Sequence, residues 1–289
     1  DAVVSRGLGD VYKRQVHGTF RQVWDHDMVD MVVLRENTEG LYHSLLRRCA
    51  DRAAGRDPYE PPEMTFPGLE GEVAYDPRPI SKFGSERISR MGFDIASRRS
   101  GAPGDSVSRV TCVDKSNVTR GCQLFRRTFD EVGEGYPNIE RDYGYIDAFM
   151  QWITRNPEHY DVVVSSNMFG DISTDLGAVL QGGMGMAGSA NIGDHHAMFE
   201  PVHGSAPKHA GKGIVNPIAS ISSVQMMLDW LGRRNANDDL VEVAELVGMA
   251  IADHVREGKQ LTYDLGGNAS TTDVGSSIAA RLSDALRER

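Results

Sequence analysis

Three short valine-rich runs, each ending in a polar turn and separated by stretches of helical periodicity, constrain this chain more than any other feature. They are Met28–Leu34, Val107–Val113 and Asp161–Val164. Runs of that length, mostly apolar and rich in β-branched residues, read as strands buried on both faces. Helices are predicted over Ser85–Arg99, where Ile88, Met91, Phe93 and Ile95 form the apolar side, and over Gln123–Glu131, where Phe125 and Phe129 lie one turn apart. Further helical patterns cover Ile172–Leu180, Asn216–Gly232, Leu240–Val255 and Ser276–Arg287. Strand alternating with helix indicates an α/β chain. Gln181–Gly193 reads as a glycine-rich loop. Cys49–Pro79, dense in proline and charge, reads as an irregular excursion or an arm of extended segments.

With 289 residues the chain can bury a sizeable core, in one large domain or two smaller ones. Its 31 Lys+Arg against 41 Asp+Glu give a formal net charge of -10, which argues against a nucleic-acid footprint. A small anionic substrate stays compatible with that sign, because a few arginines or a metal can override it locally. No apolar run approaches a membrane span, and three cysteines without metal-ligand spacing suggest a reducing compartment, so the cytoplasm is the expectation. Ser5–Gln15 resembles a translated adaptor fragment, with an ordinary polar extension as the alternative. Residues 1–15 are therefore set aside as an expected non-native extension.

The chemistry concentrates after the third strand, in Gly170-Asp171-Ile172-Ser173-Thr174-Asp175. Carboxylates four residues apart on a helix share one face. They follow a strand's carboxyl end, where open α/β sheets bind ligands. Such a pair suits a hard cation, Mg²⁺ or Mn²⁺. The plainer alternative makes Asp171 a helix N-cap and Asp175 a solvated side chain. A third carboxylate, Asp147, sits within the apolar Tyr145–Met150 segment and must be capped, paired or metal-bound. Lys115, just past the second strand, could be its partner. A lysine beside carboxylates can also accept a proton if its pKa is lowered.

Six stretches, taken together and in this order, resemble the β-decarboxylating dehydrogenases, the family of isocitrate, 3-isopropylmalate, homoisocitrate and tartrate/D-malate dehydrogenases. They are Arg35–Tyr42 (RENTEGLY), Asp114–Val118 (DKSNV), Tyr145–Ala148 (YIDA), Asn167–Asp175 (NMFGDISTD), Phe199–Pro207 (FEPVHGSAP) and Ala210–Pro217 (AGKGIVNP). The resemblance implies a two-domain α/β fold with a mixed central sheet, not a Rossmann fold. Residues 16–181 would form a smaller domain with metal, substrate and dimerisation elements. Residues 182–289 would be the C-terminal part of a larger cofactor-binding domain whose N-terminal part is missing.

Carried over residue by residue, Arg35 would bind the substrate carboxylates, Asn117 would also bind substrate, and Lys115 would act, through a water, in removing the hydroxyl proton. Tyr42 would protonate the enolate left by decarboxylation. Asp147, also placed among the catalytic groups, would hold Mg²⁺ or Mn²⁺ with Asp171 and Asp175. Lys115 and Asp147 would serve the partner's site in a homodimer. The loop His203, Gly204, Ser205 and Ala206, with Asn216 beyond it, would hold the cofactor. Lys208 stands where NAD-using members usually carry an acceptor for the ribose hydroxyl, and a cation there favours a 2′-phosphate. Tyr263 also looks like the NADP-type tail, whereas Gly266 and Gly267 stand where an arginine would be expected. The lean is to NADP, with NAD open. The implied reaction oxidises a 3-substituted malate, of isocitrate or isopropylmalate type, and releases CO₂. A tartrate or D-malate dehydrogenase and a catalytically incomplete dimerising homologue are the alternatives.

Overall fold

The computed structural model describes residues 29–42, 52–55 and 76–288. Most of the expected arm at Cys49–Pro79 and the extension at 1–15 lie outside the described residues. Four strands, β1 (Val32–Arg35), β2 (Arg109–Asp114), β3 (Glu140–Tyr145) and β4 (Val162–Ser165), form one sheet in the order β1-β4-β2-β3. All its pairings are parallel, with Val32 opposite Val162 and Val110 opposite the same residue on the other side. Helices α1 (Lys82–Ala96) and α2 (Arg120–Gly133) cover one face, while α3 (Ile146–Arg155) and α4 (Asn167–Gln181) cover the other.

The strand period of two explains the valine runs. Val32, Leu34, Val110, Cys112, Val162 and Val164 pack with Ile88, Phe93, Phe125 and Phe129 on the first face. Val33, Val113 and Val163 pack with Phe149, Ile153, Tyr160 and Leu180 on the second. Both faces are dry, so the sequence shows no polar alternation.

The second unit holds an antiparallel pair, β5 (Gly188–Ile192) and β6 (Ala197–Pro201), against α5 (Ile218–Arg234), with α6 (Asp238–Glu257) packed on α5 and α7 (Thr271–Arg287) packed on α6. Parallel and antiparallel pairing are thus both present, divided between two sheets. Its core is Met186, Ile218, Val247, Ile251, Leu261, Val274 and Ile278. A side-chain hydrogen bond joins the units beside the Arg35 turn, from Asn37 Nδ2 to Asn191 Oδ1 at 3.0 Å. No described helix is long and apolar enough to cross a membrane.

Three expectations shift in detail. The helices begin two to five residues earlier than their apolar periodicity, except α5, which begins two later. In α1, Ser81 caps the helix by accepting from the Gly84 N–H at 3.0 Å. β3 and α3 were not foreseen, and β5 lies inside the expected loop Gln181–Gly193. Ion pairs close the amino ends of the strands. Arg99 Nε meets the buried Asp161 at 2.5 Å, and Arg109 forks to Glu140 at 2.6 Å and Asp105 at 2.8 Å.

Between α6 and α7, His254 is buried with its Nδ1 2.9 Å from Ser277 Oγ. Burial, and then the nearby Arg281, push its pKa below the ordinary imidazole value. The unfolded chain therefore takes up this proton first on acidification. Stability should be full above about pH 6.5, the unfolded value, and fall as pH drops through the lower folded value. Urea unfolding at pH 7.5 and pH 5.5 checks this, with His254→Leu expected to lose less stability between the two than the parent.

Candidate active site

The carboxyl ends of all four parallel strands carry the expected residues. Arg35 ends β1, Lys115 follows β2, Asp147 follows β3, and Asp171 lies in the first turns of α4 after β4. β1 and β4 are neighbours, with Arg35 opposite Ser165, so Arg35 and the start of α4 meet. Arg35 Nη1 donates to Asp171 Oδ1 at 2.5 Å, while Nε and Nη2 both donate to Asn167 Oδ1 at 2.9 and 2.7 Å. Asn167 is itself fixed, donating from Nδ2 to the Glu39 carbonyl at 2.6 Å. Gly170 makes the approach possible, since a Cβ there would stand 2.7 Å from Arg35 Cβ.

Tyr42 donates its phenol proton to Asp171 Oδ2 at 2.5 Å, and the Arg35 guanidinium lies 5.1 Å from its ring centre. The bond to Asp171, reinforced by partial desolvation, raises the tyrosine pKa and keeps it a proton donor. Asp171 therefore carries one donor on each oxygen. Asp175 is exposed one turn further along the helix. The helix starts at Asn167 with Ser166 as its cap residue, so Asp171 is interior to α4 and not its N-cap.

The turn bearing Arg35 and Tyr42 is braced from below. Glu36 is buried, and it accepts from the Thr38 N–H at 2.7 Å, from its hydroxyl at 2.5 Å, and from Arg87 at 2.6 Å. Burial alone would raise its pKa, but these donors outweigh burial and hold it below the usual carboxylate value.

Lys115 and Asp147 form a second pair, Nζ to Oδ1 at 2.5 Å, and this bond lowers the aspartate pKa. The partnership expected from the sequence is present. Asp147, however, stands at the first turn of α3 with 66% of its side chain exposed. The adjacent Asp114 is buried and gripped by Arg126 at 2.8 and 3.0 Å. Arg126 also lies over Tyr143 and Tyr145, 5.0 and 5.2 Å from their ring centres. The sequence reading missed it, although a buried aspartate beside Lys115 already demanded a cation. Asn117 sits exposed in the turn after Lys115.

The donor chemistry at Asp171 and Asp175 fits a hard divalent cation: carboxylate oxygens on one helix face, open to solvent on one side. Asp147 does not join them within one chain. Among the described residues, no three His, Cys, Asp or Glu side chains gather to hold a metal ion.

In the second unit, His203 is half-buried, its Nδ1 2.9 Å from its neighbour's carbonyl and its Nε2 shielded without a partner. Gly204, Ser205 and Ala206 are exposed, and Ala206 adopts the left-handed conformation at φ 44°. Lys208 is exposed on the following short turn, where His209 stacks on Tyr263 with ring centres 5.9 Å apart. Asn216 is buried: its Oδ1 accepts from the Ile218 N–H at 3.0 Å, and its Nδ2 donates to Asp264 at 3.0 Å.

A family model described as isocitrate/isopropylmalate dehydrogenase matches residues 10–278. The homoisocitrate dehydrogenase of Methanocaldococcus jannaschii is 40% identical over 251 residues, or 86% of this chain and 62% of that protein. The 3-isopropylmalate dehydrogenase of Archaeoglobus fulgidus is 40% identical over 255 residues, covering 88% and 68% of the two chains. Among solved structures, the TT0538 protein from Thermus thermophilus aligns with a TM-score of 0.69 at 36% identity, across 88% of this chain but 46% of that one. Isocitrate dehydrogenase from Methylococcus capsulatus aligns with a TM-score of 0.71 at 31% identity, across 93% and 79%.

Proposed function

The chain belongs to the isocitrate/isopropylmalate dehydrogenase family, and from that premise we propose that it oxidises and decarboxylates a 3-substituted malate with NAD(P)⁺. One observation supports this most: a single carboxylate, Asp171, receives both a guanidinium and a phenol, Arg35 and Tyr42, at the carboxyl ends of β1 and β4. An anion-binding fork, a proton donor and a metal-competent oxygen are thereby within one hydrogen-bond network.

In this reading, Arg35 holds a substrate carboxylate through its planar fork, with Asn117 assisting. Lys115, through a water, takes the hydroxyl proton; NAD(P)⁺, when bound, would serve as acceptor for the C2 hydride. The C3–carboxylate bond then breaks, CO₂ leaves, and its electron pair remains as an enolate. Tyr42 returns a proton to C3. Mg²⁺ or Mn²⁺ held by Asp171 and Asp175, with Asp147 from a second copy, would supply Lewis acidity toward the substrate oxygens.

The separation of Lys115 and Asp147 from Asp171 within one chain supports completion of the site by a second copy. So does the exposed apolar surface on α3 and α4, where Trp152 is 50%, Ile172 48% and Val179 61% exposed. The cofactor would lie along His203–Ala206 and Asn216. Exposed Lys208 beside the His209–Tyr263 stack favours NADP over NAD.

The test is a panel of isocitrate, homoisocitrate, 3-isopropylmalate, tartrate and D-malate with each nucleotide, using a polypeptide that spans the relatives' full length. Reduction should require Mg²⁺ or Mn²⁺, stop in a chelator, and release CO₂. Turnover undiminished by chelation, or no reduction with any hydroxy acid, would sink the proposal.

A further inference from the structure

Arg78 lies outside every stretch that carries the family resemblance, yet it touches three parts of the candidate site. Its Nη2 donates to Thr119 Oγ1 at 2.9 Å and to Cys122 Sγ at 3.1 Å. Its guanidinium lies over the Phe169 ring, 4.8 Å from the centre. The next residue, Pro79, accepts from the Gly40 N–H at 2.9 Å, which pins the Arg78 backbone to the turn bearing Tyr42.

Each contact leads to a functional group. Thr119 closes the Lys115 turn: its N–H and that of Val118 both donate to the Lys115 carbonyl at 3.0 Å, and its hydroxyl reaches the same oxygen at 3.3 Å. Phe169 is buried in the first turn of α4, two residues before Asp171. A planar cation that stacks on one partner and donates to another fixes both distance and orientation, which a flexible ammonium does less well.

We infer that Arg78 is a positioning residue that sets the Lys115 turn against the first turn of α4. This rests on the reading of Lys115 given above. If Lys115 serves the site of a second copy, Arg78 also ties the group one subunit lends to the helix it keeps for itself. A simple packing role would cost stability alone; a positioning role must show in the rate.

In a polypeptide that spans the relatives' length, Arg78→Met should lower kcat about ten- to a hundredfold, the cost of a misplaced catalytic group. The KM for the nucleotide should stay within about twofold, since the cofactor loop is untouched. Arg78→Lys should recover part of the loss, because it can still donate to Thr119. Thr119→Val should act in the same direction, and the double variant should be no slower than Arg78→Met alone. Hydrogen exchange at the Val118 and Thr119 amides should quicken in Arg78→Met.

Wild-type kcat in Arg78→Met, or losses that simply multiply in the double variant, would overturn the inference. A parent protein that reduces neither nucleotide would instead sink the dehydrogenase reading. The exchange measurement would then still decide whether Arg78 holds the turn.

Discussion

Replacing Asp171 with asparagine is expected to lower kcat/KM by about a thousandfold, in line with the several kcal/mol a polarising cation contributes. The effect is geometric before it is electrostatic. Each oxygen of Asp171 now accepts from a donor, Arg35 at 2.5 Å and Tyr42 at 2.5 Å. An amide of the same shape keeps one acceptor and turns an NH₂ toward the other donor. Either the Arg35 fork or the phenol must therefore move. The lost charge also leaves Asp175 as the only carboxylate on that face of the helix. The variant should fold normally, bind Mn²⁺ at least tenfold more weakly, and lose turnover at any cation concentration. Kinetics across an Mn²⁺ titration, with direct binding by calorimetry, would check it. Full turnover at high Mn²⁺ would mean that Asp171 supplies affinity alone and does not orient Arg35 or Tyr42.

The second large effect concerns stability. Gly267→Ala should destabilise the second unit by about 3 kcal/mol or more, at the upper end of what overpacking costs. A Cβ at that position would stand 2.0 Å from the Leu261 carbonyl oxygen and 2.5 Å from its carbon. That oxygen accepts from the Ala269 N–H at 2.9 Å, and the Gly267 N–H donates to the Thr262 carbonyl at 3.0 Å, so neither side can yield cheaply. Leu261 belongs to the core with Ile251 and Val274. The turn also carries Asp264, which accepts from Thr262 Oγ1 at 2.5 Å and from Asn216. Damage here should therefore reach the proposed cofactor loop through Asn216, and on that proposal NAD(P)⁺ affinity should fall with the urea midpoint. A midpoint within error of the parent would refute the overpacking.

Much of this was legible in the chain itself, for reasons that differ between elements. β1, β2 and β4 announced themselves because both of their faces are buried, so nearly every position is apolar. β3, Glu140-Arg141-Asp142-Tyr143-Gly144-Tyr145, did not, because its side chains are exposed or half-exposed, unlike those of β1 at the sheet's other edge. β5, Gly188-Ser189-Ala190-Asn191-Ile192, was hidden by small residues that read as loop. A backbone pressed close to α5 requires such residues: a Cβ on Gly188 would lie 2.9 Å from the Ser223 nitrogen.

At the candidate site, the nearness of Arg35, Tyr42 and Asp171 and the Lys115–Asp147 pair could be anticipated because these residues follow the carboxyl ends of strands in dense local motifs. Asn167 and Arg126 were present in the same stretches or close to them, but their roles depend on what folds against them. Arg78 gave no local signal at all. Its partners at Thr119 and Phe169 are brought near only by the sheet order, which places β4 between β1 and β2.

The ion pairs that close the amino ends of the strands have a consequence for how such a protein can change over time. Arg99 with Asp161, and Arg109 with Glu140 and Asp105, fasten the sheet at the end away from the candidate site. Residues above the opposite end can then be exchanged without loosening the strands' alignment. A lineage could pass from one hydroxy acid to another by altering loops alone, its architecture undisturbed. Relatives carrying different substrate names, each 40% identical to this chain, are the kind of divergence such a division of labour permits.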